Sequence, residues 1–179
     1  LMSAQLGPGI DDTGEFPAIG HHDDLGDLVV VTGMTGAGRS TAAKELEDLG
    51  YFVVDNLPPE LVTEVVRLVD EQKGRDQPIA VVVDVRGGTS FHSLREQLAR
   101  HLPTRRTSLL FLEADDDILV RRQEAARRPH PLQAGGRLLE GIDRERSVMT
   151  QLRGDADVVI DTTPLNVHQL KGVIQERYR

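Results

Sequence analysis

Cysteine is absent from the 179 residues, which excludes a disulfide framework and any cysteine-ligated zinc or iron-sulfur site and is compatible with a reducing compartment. No apolar run approaches the roughly 20 residues that a membrane-spanning helix needs. The first residues carry neither the basic nor the apolar segment of a secretion signal. Basic residues are in the minority: 21 Lys and Arg against 29 Asp and Glu give a net charge of -8. The chain as a whole therefore lacks the positive footprint that dominates nucleic-acid affinity, and direct RNA binding is not expected of it. A soluble, cytoplasmic protein without membrane contact is the expectation. No internal repeat of solenoid length is present, and the length suits one globular core rather than two.

Residues 1–24 hold Gly7-Pro8-Gly9, scattered acids and the pair His21-His22, with no helical or alternating apolar period. Such a stretch cannot bury enough surface to offset its ordering entropy, so a flexible tail is expected, with the two histidines solvated rather than metal-bound. From residue 25 to 179 the pattern is that of one domain. Short aliphatic runs (Leu28 to Val31, Tyr51 to Val54, Ile79 to Val83, Ser108 to Leu112, Asp157 to Ile160) alternate with amphipathic stretches. The latter run from Ser40 to Leu49, Pro59 to Glu71, Ser90 to Leu102, Asp116 to Ala126, Leu138 to Leu152 and Val167 to Tyr178. Strand then helix, repeated, predicts an α/β domain: a mostly parallel five-stranded sheet with helices on both faces.

Between the first run and the first helix lies Gly33-Met34-Thr35-Gly36-Ala37-Gly38-Arg39-Ser40, which fits the pattern G-x-x-x-x-G-[KR]-[ST]. Strand before and helix after is the context this motif requires. The glycines let consecutive N–H groups turn toward an anion, and the helix start adds its partial positive charge. The expected ligand is the phosphate group of ATP or GTP with Mg2+. Ser40 is the expected magnesium ligand and Thr41 the weaker candidate. Arg39 stands where the usual motif has lysine. It keeps the charge, but its planar fork is larger and differently directed, so binding is expected to survive the exchange better than catalysis. The plain alternative is an ordinary glycine-rich turn.

Ligands of open α/β sheets gather at the carboxyl ends of the strands, so the acids that end the aliphatic runs come next. Asp84 is a candidate for the magnesium shell or for orienting water. Asp55, followed by Asn56, is a candidate for activating an acceptor, although a capping role explains a lone strand-end acid equally well. Arg86 follows Asp84 closely enough to reach base or phosphate. Arg121-Arg122 and Arg127-Arg128 suggest a lid whose guanidinium groups close over the nucleotide, with surface charges paired to nearby acids as the alternative. Asp161-Thr162-Thr163 is placed, more weakly, near the base.

These motifs together resemble the bacterial RapZ/YvcJ family of P-loop nucleotide-binding proteins, the RNase adapter family. The likeness rests on Gly33 to Ser40, on Leu46 to Tyr51 running into Val54-Asp55-Asn56-Leu57-Pro58, on Asp84-Val85-Arg86, on Arg121-Arg122 with Arg128-Pro129-His130-Pro131-Leu132, and on Ala156 to Thr162. It spans nearly everything from Leu28 onward. The resemblance implies a P-loop NTPase fold, binding of ATP and GTP, and slow hydrolysis. It makes Gly33 to Thr41 the phosphate segment and matches Asp84-Val85-Arg86-Gly87 to the stretch assigned to GTP, with Arg128 in the lid. The likeness is to the family's N-terminal domain alone, and the C-terminal domain tied to small-RNA binding is expected to be absent. A regulatory nucleotide-binding domain with weak hydrolysis, answering to a partner protein or to that other domain, is the leading expectation. A small-molecule or nucleotide kinase using Asp55 and a non-catalytic nucleotide-sensing module are the alternatives, and self-association stays open.

Overall fold

A computed structural model of the chain describes residues 28–83, 91–101, 105–126 and 138–178. The expected tail with His21 and His22, the segment Asp84 to Gly87, and Arg127 to Leu132 lie outside the described residues. Five strands form one parallel sheet: β1 Leu28–Gly33, β2 Phe52–Leu57, β3 Ile79–Val83, β4 Thr107–Glu113 and β5 Val158–Asp161, in the order β2-β3-β1-β4-β5. The helices are α1 Arg39–Asp48, α2 Val62–Lys73, α3 Phe91–His101, α4 Asp116–Ala126, α5 Leu138–Asp155 and α6 Val167–Tyr178.

Strand position follows from composition. β1 and β3 are aliphatic throughout save Thr32 and Gly33, and every residue in both is buried, as a strand covered on two faces requires. β5, at the edge, alternates buried and exposed residues. From β1 the chain moves out through α1 to β2, then turns back through α2 to β3 and crosses to β4 and β5. Right-handed crossovers place α1 on one face and the helices of the returning path on the other. Accordingly α1 packs against α6, while α2, α3 and α5 pack in sequence and α5 meets β4. Winding reverses at β1, so the loop after β1 opens at the point where such sheets bind ligands.

Several boundaries differ from the expected ones, and two of them bear on the sheet edge. β2 runs on to Leu57 and takes in Asp55 and Asn56 across a bulge, where Asn56 has φ 55°. Pro59 to Leu61 make a 3-10 turn, and α2 begins only at Val62, because prolines 58 and 59 donate no N–H and favour extended or first-turn backbone.

The β1 to β4 contact constrains the loop start. Gly33 pairs with Leu112, and the Met34 N–H donates to the Leu112 carbonyl at 2.9 Å. A Cβ on Gly33 would sit 2.2 Å from that carbonyl oxygen, at φ 149°. At the far edge, the Asp161 carboxylate accepts the Thr163 hydroxyl at 2.6 Å and the Thr163 N–H at 2.9 Å. Those bonds, with weaker help from Arg122 and Arg146, hold its pKa below the ordinary value.

Gly33→Ala is expected to destabilise the domain by about 3 kcal/mol or more, since backbone cannot move aside as a side chain can. Gly50→Ala, at φ 100° but with nothing near its Cβ, should lose only about 1 to 2 kcal/mol. Denaturant unfolding of the two variants measures the contrast. Because the folded pKa of Asp161 is depressed, its contribution is present above the unfolded carboxyl pKa of about 3.9 and is lost as pH falls through the folded value. A carboxyl titration by NMR should find Asp161 below the ordinary range and Thr163→Val shifting it upward.

Candidate functional site

The loop after β1 closes on itself through an Ala37 N–H to Met34 carbonyl bond of 3.0 Å. Gly36 has φ 90°, and Gly38 caps α1 with φ 108° and ψ 21°, a left-handed conformation that glycine adopts without strain. No side chain caps α1, and its first turn holds no acid. Its first intrahelical bond runs from the Ala42 N–H to the Gly38 carbonyl at 3.0 Å. The N–H groups of Arg39, Ser40 and Thr41 therefore have no partner within the helix. Among the described residues nothing accepts from them, nor from the N–H groups of Gly36 and Gly38. A helix start so left carries an uncompensated positive field suited to an anion.

The carbonyl side of the same loop is occupied by protein. Gln123 Nε2 donates to the Thr35 carbonyl at 2.9 Å, Arg122 Nη1 to the Gly36 carbonyl at 3.1 Å, and Thr162 Oγ1 to the Ala37 carbonyl at 2.8 Å. Arg122 also donates to Thr162 Oγ1 at 2.9 Å and to the carbonyls of Thr162 at 2.8 Å and Leu165 at 3.3 Å. Burial pulls its pKa down against the opposing attraction of Asp161, and a guanidinium remains a cation through such a shift. The buried Glu145 takes Thr35 with both oxygens, its Oε1 accepting the N–H at 2.7 Å and its Oε2 the hydroxyl at 2.6 Å. On the α6 side, Leu170 packs so closely on Gly38 that a Cβ there would meet its Cδ2 at 2.6 Å. Gln175 Nε2 donates to Glu45 of α1 at 2.6 Å.

Of the residues expected at the site, Gly33, Met34 and Ala37 are buried on the core side, Thr35, Gly36, Gly38, Arg39 and Thr41 are half-buried, and Ser40 is exposed. Arg39 makes no hydrogen bond or ion pair among the described residues. Asp55 is exposed and accepts the Asn56 N–H at 2.7 Å. It sits two strands from β1, about 10 Å away by ordinary strand spacing, on the same carboxyl edge of the sheet. Asp84, Val85, Arg86, Gly87 and Arg128 lie outside the described residues. Val83, which precedes them, accepts the Thr32 hydroxyl at 3.2 Å.

Two expectations change. Arg122, read as part of a lid, is turned into the protein, where it joins the loop to the segment after β5. Thr162, read as lying near a base, is buried beneath the loop backbone. Gln123 and Glu145 were not singled out from the sequence. The signal was there: Glu145 falls among Ile142, Met149 and Leu152 at helical spacing, and Gln123 four residues after Leu119, so each polar group occupies a core-facing position.

A nucleotide-binding protein of a Nocardioides species is 70% identical over 153 residues, covering 86% of this chain and 51% of its own length. A nucleotide-binding protein of Streptomyces coelicolor is 53% identical over 169 residues, covering 93% and 56%. The chain thus spans about half the length of these curated relatives. Among solved structures, shikimate kinase from Acinetobacter baumannii in complex with shikimate has a TM-score of 0.55 at 17% identity, covering 83% of this chain and 90% of its own. A tunicamycin resistance protein from Deinococcus radiodurans reaches 0.54 at 18% identity, covering 84% and 94%. The fold is thus the five-stranded parallel α/β fold of P-loop kinases. A family model, that of the RapZ-like N-terminal domain, matches residues 26–179, and the chain belongs to this family.

Proposed function

We propose that this domain binds ATP or GTP as the magnesium complex, hydrolyses it slowly, and uses nucleotide occupancy as a signal to a partner protein or a further domain. One observation carries the reading: among the described residues, five loop and helix-start N–H groups, Gly36 and Gly38 to Thr41, stand without acceptors while the carbonyls beside them are bonded into the protein. Such a row of donors fits a triphosphate. The nucleotide-binding relatives support it, as does the YorR protein of Bacillus subtilis, of similar fold at a TM-score of 0.52, which is in complex with phosphorylated GDP.

The donor set suits the expected metal. Magnesium takes hard oxygen ligands and keeps several waters, and Ser40 offers an exposed hydroxyl at the first turn of α1. Asp84 is the proposed carboxylate of its shell, acting directly or through water. When bound, magnesium neutralises charge on the terminal phosphates. The guanidinium of Arg39, which has no hydrogen bond or ion pair among the described residues, is proposed to pair with phosphate oxygens in the manner of the usual lysine, less well directed toward a transition state. The net charge of -8 argues against assigning RNA binding to this domain.

A second reading, an acceptor-directed kinase, is favoured by the exposed Asp55 in its bulge on the same sheet edge. There the carboxylate would take the proton of an acceptor hydroxyl as it attacks the γ-phosphorus and the nucleoside diphosphate leaves.

Calorimetric titration with MgATP and MgGTP should give saturable binding, and Asp84→Ala should lower affinity for the magnesium complex by about tenfold. Arg39→Lys should retain binding and release phosphate faster. Heat with neither nucleotide would sink the proposal. Phosphate transfer to an added hydroxyl compound, lost in Asp55→Ala, would replace it with the kinase reading.

A further inference from the structure

We propose that Glu145 is a positioning residue for the phosphate loop, one that acts on phosphate affinity without touching the ligand. The inference rests on the phosphate-binding reading of the loop and goes beyond it by naming what sets the loop's shape. A carboxylate is costly to bury unless its oxygens are occupied, and Glu145 is 2% exposed. Both of its oxygens meet the same residue: Oε1 accepts the Thr35 N–H and Oε2 the Thr35 hydroxyl. Bidentate, charge-assisted bonding of this kind fixes orientation as well as position.

Thr35 lies in the first half of the loop. Its N–H is spent on Glu145 and its carbonyl on Gln123, so the Thr35 peptide groups are held from α5 and from α4. That leaves the N–H groups of Gly36 and Gly38 to Thr41 for phosphates, already turned to one side. A donor row held in place before the ligand arrives loses less conformational entropy on binding. The loop is rich in glycine, the residue that loses most on ordering, so the external hold has most effect here. Glu145 is on α5, whereas the row it sets is on the β1 to α1 connection. Phosphate affinity therefore depends on where α5 sits.

The isosteric amide separates geometry from charge. In Glu145→Gln, Oε1 still accepts the Thr35 N–H, and Nε2 donates to the Thr35 hydroxyl oxygen. Glu145→Ala removes both bonds, and Thr35→Val removes only the hydroxyl bond. Magnesium pyrophosphate and MgATP are titrated into wild type and the three variants by calorimetry, with melting curves and amide hydrogen exchange of the ligand-free proteins. Losing a charge-assisted pair should lower affinity for both ligands about tenfold or more in Glu145→Ala and less in Thr35→Val, with Glu145→Gln rescuing to wild-type affinity or tighter. Exchange should quicken about tenfold at the bonded loop amides, those of Thr35 and Ala37, before it does in the strands.

Wild-type affinity and wild-type loop exchange in a folded Glu145→Ala overturn the inference. So does exchange that rises equally across the sheet, which marks a merely structural role. Should Glu145→Ala fail to fold, unchanged loop exchange in Thr35→Val overturns it. If wild type binds neither ligand, the nucleotide reading fails, while the exchange data still decide whether Glu145 positions the loop.

Discussion

A peptide chain cannot turn a row of N–H groups toward one side without turning neighbouring carbonyls toward the other, and buried carbonyls need donors. The glycine-rich loop after β1 meets this constraint with three side chains from two other parts of the fold. Gln123 and Arg122 of α4 and Thr162 after β5 each take one of the three successive carbonyls from Thr35 to Ala37. The loop is consequently the place where α4, α5 and the end of β5 converge, although they are 86 to 125 residues away in sequence.

Charge placement follows the same division. Arg122 is directed at carbonyl oxygens on the protein side of the loop, and Glu145 at an N–H and a hydroxyl, so neither is bonded to the donors that stand unpartnered among the described residues. The field on the donor side comes from the start of α1, which has no acid in its first turn and no capping side chain to offset it. Elsewhere in the sheet, burial of charge is handled by local pairing: Arg105, buried below α2, gives its guanidinium to Asp70 and to the Gln77 carbonyl.

Those arrangements divide into what a linear reading reaches and what it does not. Five short apolar runs identified the five strands, and the parallel sheet followed from strand and helix alternation, because both signals are local in sequence. The loop was legible for the same reason: Gly33, Gly36 and Gly38 are needed at positive φ within one short segment. Asp55 was placed past the end of its strand because a bulge has no compositional mark stronger than Asn56 itself. Glu145, Gln123 and the inward role of Arg122 were missed because each is defined by a partner on another element. Arg122 and Arg121 look alike in sequence, yet Arg122 is turned into the loop while Arg121 is exposed. Only the helical phase of α4 relative to the loop separates them.

The last helix belongs to the site as much as the loop does. Leu170 of α6 closes on Gly38 so tightly that a β-carbon at that position would collide with it, and Gln175 holds Glu45 on the following turns of α1. Tyr178, at the end of α6, meets Tyr51 edge to face at 6.4 Å between ring centroids, beside the start of β2. Glycine at residue 38 is therefore required twice, by its left-handed backbone and by the closeness of α6. A shift of α6 along α1 would move Leu170 off the residue that starts the donor row. Packed side chains at this density have few alternative arrangements, so a displacement of α6 disturbs its contact with α1. In the curated relatives about half the protein lies beyond the region this chain matches. The α1 to α6 contact is where the last helix meets the residue that starts the donor row.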